Sequence, residues 1–201
     1  MTGQRLIAVA ALAAGAVVGA GLALARIDGR LATGDDKNRI LLDGWMADLS
    51  TGSAAAGPLE RARIARAGLF ALNASEAVYF VRARDDAGAR LDPACDYELA
   101  GGALPAEWWS TTLYAEENFL ALNNDGAASI QSEEIAPDGG RWRAVISGER
   151  PADATPWISS NGAKAFDLTL RLYGPDLAAL TASPPPEFPA IRRMACRRAT
   201  P

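Results

Sequence analysis

The stretch Trp108-Trp109-Ser110-Thr111-Thr112-Leu113-Tyr114 decides the fold. Aromatic and β-branched side chains fill it, and neither glycine nor proline interrupts it, which is the make-up of a strand inside a sheet. Side chains alternate across a strand, so Trp109, Thr111 and Leu113 share one face, and Trp108, Ser110, Thr112 and Tyr114 share the other. One face can enter a core while the other meets water or a second layer. Phe166 to Tyr173 repeats the pattern: Phe166, Leu168, Leu170 and Leu172 point one way, and Asp167, Thr169, Arg171 and Tyr173 the other. The reading makes 108–114 the central strand and 166–173 a partner of the same kind.

Working outward, Ala77 to Arg84 alternates and ends in the turn Asp85-Asp86-Ala87-Gly88, and Cys95 to Leu99 gives another short strand. Gly101-Gly102 and Pro105 mark the loop into the central strand. Beyond it, Glu116 to Leu122 turns toward Asn123-Asn124-Asp125-Gly126, and Ser129 to Gln131 reads as a strand. Pro137-Asp138-Gly139-Gly140 reads as a hairpin turn into Arg141 to Ser147, and Pro151 to Gly162 as a polar loop holding Trp157. Gly174-Pro175, a brief helical turn to Leu180 and the extended Pro184-Pro185-Pro186 tail close the chain. Two helices are expected ahead of the strands. From Asp35 to Leu49, Leu41, Trp45 and Leu49 recur every four residues with Leu42 and Met46 alongside, and Pro58 opens a second helix that runs to Gly68. The order of helices and then six or seven short strands indicates an all-β sandwich.

Leu6 to Ala25 is an unbroken apolar or small-residue run, long enough as a helix to cross a hydrocarbon core of about 30 Å. It is either a membrane anchor or an export signal. Ala23-Leu24-Ala25 offers a cleavage site, whereas the length favours an uncleaved anchor. Gly15 and Gly19 stand four apart, as in helix-pairing faces, although a weak, alanine-rich span with no pairing role is the reading the residues favour. Arg26, Arg30, Lys37 and Arg39 follow the span while Arg5 precedes it, so counting positives would keep the body inside. The expected divisions are 1–30 as anchor or uncleaved signal, 31–180 as the sandwich with its leading helices, and 181–201 as a proline-rich tail.

Composition narrows the chemistry. There are 20 basic and 24 acidic residues for a net charge of −4, so the chain lacks the basic surface that nucleic-acid binding requires. It has no histidine, which excludes imidazole triads and imidazole metal sites. Lys37 and Lys164 are the only lysines, leaving few places for a Schiff base. No cofactor and no metal site are expected. Cys95 and Cys196 belong to no CxxC motif, so they are either a disulfide or two unrelated thiols. A bridge between them in an oxidising compartment would close a loop of about 100 residues.

A family resemblance rests on Gly44-Trp45, Thr51-Gly52-Ser53, Arg61-Ala62, Ala65-Arg66, Glu76-Ala77-Val78-Tyr79-Phe80, Leu91-Asp92, the 108–114 stretch and Leu168-Thr169-Leu170-Arg171-Leu172-Tyr173. In that order they are similar to the bacterial domain of unknown function family 1214, over roughly residues 43–176. The resemblance implies a jelly-roll-like β-sandwich with helices in front, in short membrane-anchored proteins or in the carboxyl-terminal half of longer ones, and it implies no established reaction. This chain is read as lacking the companion domain of the longer members. The resemblance to exported proteins places the body on the periplasmic side of the inner membrane, as a single-pass protein, against the count of positive charges.

Candidate binding residues follow from side-chain chemistry. Trp108, Trp142 and Trp157 are expected to be partly exposed and able to stack on a sugar ring, against the alternative that they pack in the core. Arg171, Tyr173 and Tyr114 would converge on an anion if their strands are neighbours; otherwise Arg171 points outward and pairs with Asp167 or Glu116. Glu116-Glu117 and Glu133-Glu134, if in strands, would face opposite ways and serve as surface charge. The function these readings favour is a membrane-tethered, non-catalytic envelope module binding a glycan, a lipid or a protein. The alternatives are a histidine-free lyase or isomerase acting on a carbohydrate, and an accessory subunit of a membrane complex.

Overall fold

The computed structural model describes residues 2–27, 38–67, 71–135 and 140–197. Helix α1 spans Thr2–Ile27, and its Ile7–Ala25 segment is long and apolar enough to cross a membrane, with a mean hydropathy of 2.3. Such a helix is a membrane anchor or a signal sequence. The rest is mainly β, in two sheets: strands β1 (Arg39–Leu42), β2 (Trp45–Asp48), β3 (Ala77–Arg82), β4 (Cys95–Gly101), β5 (Ala106–Tyr114), β6 (Ser129–Gln131), β7 (Trp142–Ser147), β8 (Trp157–Ser159), β9 (Asp167–Pro175) and β10 (Ala190–Cys196). One sheet runs β1-β2-β3-β9-β5-β6 and the other β10-β4-β7-β8. Every pairing is antiparallel except that of β7 with β8.

Alternation builds the core as expected. Leu168, Leu170 and Leu172 of β9 are fully buried, and Trp109, Thr111 and Leu113 of β5 face the same interior. Val78 and Phe80 of β3 join them, against Tyr97, Leu99, Ala144, Ile146, Ile158 and Ile191 from the other sheet. Trp109 and Trp142 stack across the interior with ring centroids 4.6 Å apart. β5 is not the middle of its sheet: β9 lies between β5 and β3, and the short β6 covers the far side of β5.

The first expected helix is corrected. Where a helix was read from Asp35 to Leu49, the described residues form the β1–β2 hairpin, with Leu41 opposite Met46 and Leu42 opposite Trp45. Asp43 and Gly44 carry φ of 47° and 83°, the left-handed pair that a two-residue hairpin turn requires. Alternation within the hairpin buries Leu42, Trp45 and Ala47 and exposes Leu41 and Met46, so the interval of four from Leu41 to Trp45 crosses from one face to the other. Asp35 and Asp36, read as the start of that helix, lie outside the described residues. The second helix is present as α2 (Pro58–Ala67), with its expected end at Gly68 outside the described residues.

Two further strands lie where none was expected. β8 sits inside the stretch read as a polar loop, and β10 sits in the stretch read as a proline-rich tail. β10 pairs with β4 over six registered positions, ending on Cys196 opposite Cys95, and these two form a disulfide. The brief helix α3 (Leu177–Leu180) follows β9 as expected, with the Asp176 carboxylate accepting from the Ala179 amide. The hairpin turn read at Pro137–Gly140 lies outside the described residues except for Gly140, and β7 follows it. Glu116 and Glu133-Glu134 lie in 3-10 turns rather than strands, and Glu134 caps the Gln131 amide.

Candidate functional site

The two strands that carry the site residues are neighbours. β5 and β9 pair with Trp108 opposite Tyr173, Ser110 opposite Arg171, Thr112 opposite Thr169 and Tyr114 opposite Asp167. β3 lies on the other side of β9 and sets Tyr79 opposite Arg171. Alternation sends all of these to the face of the six-stranded sheet that turns away from the core. That face therefore gathers three phenols, an indole, a guanidinium and a carboxyl on three adjacent strands.

Arg171 organises the centre of it. Tyr114 lies four strand positions away in register, about 13 Å along the strand, and the long arginine stem lies along that direction over Thr112. Its Nη1 donates to Thr112 Oγ1 at 3.0 Å and its Nη2 to the Tyr114 hydroxyl at 2.5 Å. The guanidinium carbon stands 5.3 Å from the Tyr114 ring centroid. Both acceptors are hydroxyls, and among the described residues no carboxylate, Asp167 and Glu116 included, forms an ion pair with Arg171. Tyr173 packs on Trp108 with ring centroids 5.1 Å apart and planes tilted by 58°, which extends the aromatic surface to one side of Arg171.

Asp167 lies two strand positions beyond Thr169 on the same face. Burial raises its pKa to about 6, because the partly enclosed site disfavours the charged form. The folded state therefore holds the proton more tightly than the unfolded chain does. Stability from this group is complete below the ordinary carboxylate pKa near 4 and is lost as pH rises through 6. Asp167→Asn should flatten that decline and raise stability above pH 6 by on the order of 1 to 2 kcal/mol, solvent on the open side moderating the full shift. Urea denaturation at pH 4.5 and 7.5 checks it, and a variant as pH-dependent as the wild type would refute the assignment.

The other candidates are dispersed. Trp142 and Trp157 were expected to be partly exposed and are each only 8% exposed. Trp142 is stacked against Trp109 with its indole nitrogen donating to Gly102 O, and the Trp157 indole nitrogen donates to Ser147 O and Oγ. Each indole N–H thus finds an internal acceptor, which lets an aromatic of this size sit inside a sandwich. Cys95 and Cys196 lie on the four-stranded sheet, away from Arg171. Gly15 and Gly19 sit in α1 with open space where a Cβ would stand. Among the described residues no group of histidine, cysteine, aspartate or glutamate could hold a metal ion.

Sequence reasoning passed over Tyr79 and gave Asp167 only a pairing role. Both were legible in part: Tyr79 alternates with the core residues Val78 and Phe80, and Asp167 alternates with Leu168. Their placement beside Arg171 needed the strand order, which local spacing does not contain.

Comparison with known proteins agrees with this architecture. A family described as "Protein of unknown function (DUF1214)" matches residues 76–177, which takes in β3 through β9 and the whole site. No curated protein matches the chain. Among solved structures, the VPA0106 protein from Vibrio parahaemolyticus is 24% identical, with a TM-score of 0.56, over 70% of this chain and 36% of its own. A putative uncharacterized protein from Burkholderia cenocepacia is 16% identical, with a TM-score of 0.39, over 64% of this chain and 32% of its own. The chain thus spans about a third of the length of these structures. The first likeness supports the fold alone, and the second is too distant to support an argument.

Proposed function

Because this chain belongs to the family described as Protein of unknown function (DUF1214), for which no reaction is given, we propose its function from the geometry: a membrane-tethered binding module whose outward six-stranded face takes a carboxylate-bearing glycan. The body would stand on the periplasmic side of the inner membrane with α1 as an uncleaved single-pass anchor. The arrangement of β3-β9-β5-β6, with connections that pass repeatedly between the two sheets, is compatible with a jelly-roll-like description.

One observation carries the binding proposal. Arg171 is oriented by two hydroxyls and stands beside the Tyr114 ring, so its fork is positioned without a carboxylate partner among the described residues. One ring of an oligouronate presents a carboxylate for the guanidinium beside the Tyr114 ring, and a neighbouring ring farther along β9 presents an apolar face for Trp108 or Tyr173, which lie on the opposite side of Ser110 from Tyr114. The test is calorimetric titration of the full-length protein in detergent with a uronic-acid oligosaccharide and with its neutral counterpart. The acidic ligand should bind and the neutral one should not, and Arg171→Ala should weaken binding by about tenfold or more, the usual weight of a charge-assisted hydrogen-bonded contact. Equal binding of both sugars, or an unaffected variant, would end the proposal.

A specific observation also keeps the enzyme alternative in view. Asp167 titrates near 6 and stands opposite the Tyr114 phenol, a pairing of groups suited to proton transfer next to a bound carboxylate. Release of an unsaturated product from a polyuronate, abolished by Asp167→Asn while binding persists, would favour a lyase over a module.

A further inference from the structure

Between β5 and β6 the chain leaves Phe119 69% exposed, Leu120 49% and Leu122 93%. Three bulky apolar side chains within four residues are an unusual load for a loop tip in water, and they form a contiguous feature rather than scattered exposure. The backbone beneath them is fixed. Phe119 O accepts from the Ala115 amide at 2.7 Å, and the Asn123 amide donates to Ala121 O at 3.0 Å. The Asn123 side chain donates to Asn161 O at 2.7 Å, and Ala121 packs against the core. Leu122 O is seated so closely on Gly162 that a Cβ there would come within 2.6 Å of it. The side chains are thus held outward by a loop secured at both ends.

We propose that this tip inserts into the interfacial layer of the bilayer that carries α1, its occupant being lipid. The inference rests on the reading of α1 as an anchor. β1 begins at Arg39 and α1 ends at Ile27, so the connecting residues 28–38 span at most about 40 Å. That short tether keeps the body against its own membrane, where an apolar tip has a ready place to go. The segment 115–128 carries Glu116, Glu117 and Asp125 and no lysine or arginine. Insertion therefore draws on apolar burial and not on attraction to anionic headgroups, so a neutral bilayer suffices. Tyr114 precedes Phe119 by five residues and lies within about 18 Å of it. The docked tip thereby holds the Arg171 site close to the headgroup layer.

The experiment uses the full-length protein in phosphatidylcholine vesicles with an environment-sensitive fluorophore on Leu122→Cys, the native cysteines being bridged. Phe119→Cys serves as an independent second position, and Asp153→Cys, in the β7–β8 connection beside the four-stranded sheet, as a control. The inference expects vesicle flotation, blue-shifted emission at 119 and 122 but not at 153, and loss of about half the intensity at 119 and 122 to lipids with a shallow nitroxide. Adding phosphatidylglycerol should not strengthen the effect. Flotation with a water-like signal at 119 and 122 would overturn the inference and leave the anchor reading standing. A shielded signal that nitroxide lipids fail to quench would overturn it in favour of a protein partner, and failure to float would overturn the anchor reading and the inference together.

Discussion

Breaking the Cys95–Cys196 bridge, by reduction or by the double Cys→Ala variant, should lower the unfolding free energy of the body by about 4 to 5 kcal/mol. The bridge joins residues 101 apart in sequence, so it removes a large amount of loop freedom from the unfolded chain. The native geometry needs no rearrangement to hold it, because Cys196 is directly opposite Cys95 in the β10–β4 register. β10 is an edge strand paired only with β4, and its residues from Arg192 onward are exposed, so apolar burial alone does little to hold its far end. The loss should therefore be uneven. Amide exchange should accelerate at Ala195 and Cys196 more than at Ile191, which is fully buried and held by Asp86. A denaturation midpoint that does not move on reduction would contradict the assignment.

Arg82→Ala should cost about 2 to 3 kcal/mol, because a buried cation with three hydrogen bonds is removed and Pro189 O and Arg84 O lose a donor, while Asp86, 39% exposed, can turn to solvent. The Arg82 side chain is 6% exposed and makes three contacts: Nε donates to Arg84 O at 2.8 Å, Nη1 to Pro189 O at 3.3 Å, and Nη2 to Asp86 Oδ1 at 2.6 Å. Asp86 in turn accepts from the Ile191 amide, and its own amide donates to Ile191 O. The Trp45 indole nitrogen donates to Pro189 O at 2.8 Å, and Asp43 accepts from the Phe188 amide. This network fastens 188–191, including the first two residues of β10, to the β1–β2 hairpin and to Arg82 and Asp86. Gly44 belongs to it as well, since a Cβ there would meet Arg82 Nε at 3.1 Å. The Arg82 variant should unfold more readily in urea and should be less than additive with loss of the bridge, because both fasten the same strand. A cost below 1 kcal/mol would show that the buried cation contributes little.

What was legible in the chain followed the reach of local patterns. The alternation at 108–114 and 166–173 identified β5 and β9, sorted their residues into the two faces the structure has, and made Arg171 and Tyr114 candidates. The pairing of Cys95 with Cys196 was one of two open readings, decided by β10 lying beside β4. The misreading of 35–49 came from Leu41, Trp45 and Leu49: the first interval spans the Asp43-Gly44 turn and joins an exposed residue of β1 to a buried one of β2, and that turn was the signal that separates hairpin from helix. β8 and β10 were missed because the stretch from Pro151 and the run Pro184–Pro186 suggested irregular chain, although β8 starts directly after Pro156 and β10 directly after Pro189. Trp157 was read as partly exposed because it sits in a stretch read as a loop, and Trp142 was grouped with it, whereas the alternative of packing in the core is what the structure shows for both. Their indole nitrogens instead found internal acceptors that no spacing rule reveals.

The binding proposal stands on Arg171, and native mass spectrometry of the full-length protein, extracted in mild detergent from its own host, tests it most directly. The account predicts a discrete adduct of acidic saccharide mass on the wild type that is lost from Arg171→Ala, while both proteins show the intact α1 mass and the bridged cysteines. An adduct retained undiminished by Arg171→Ala, or an adduct of neutral composition, would contradict it.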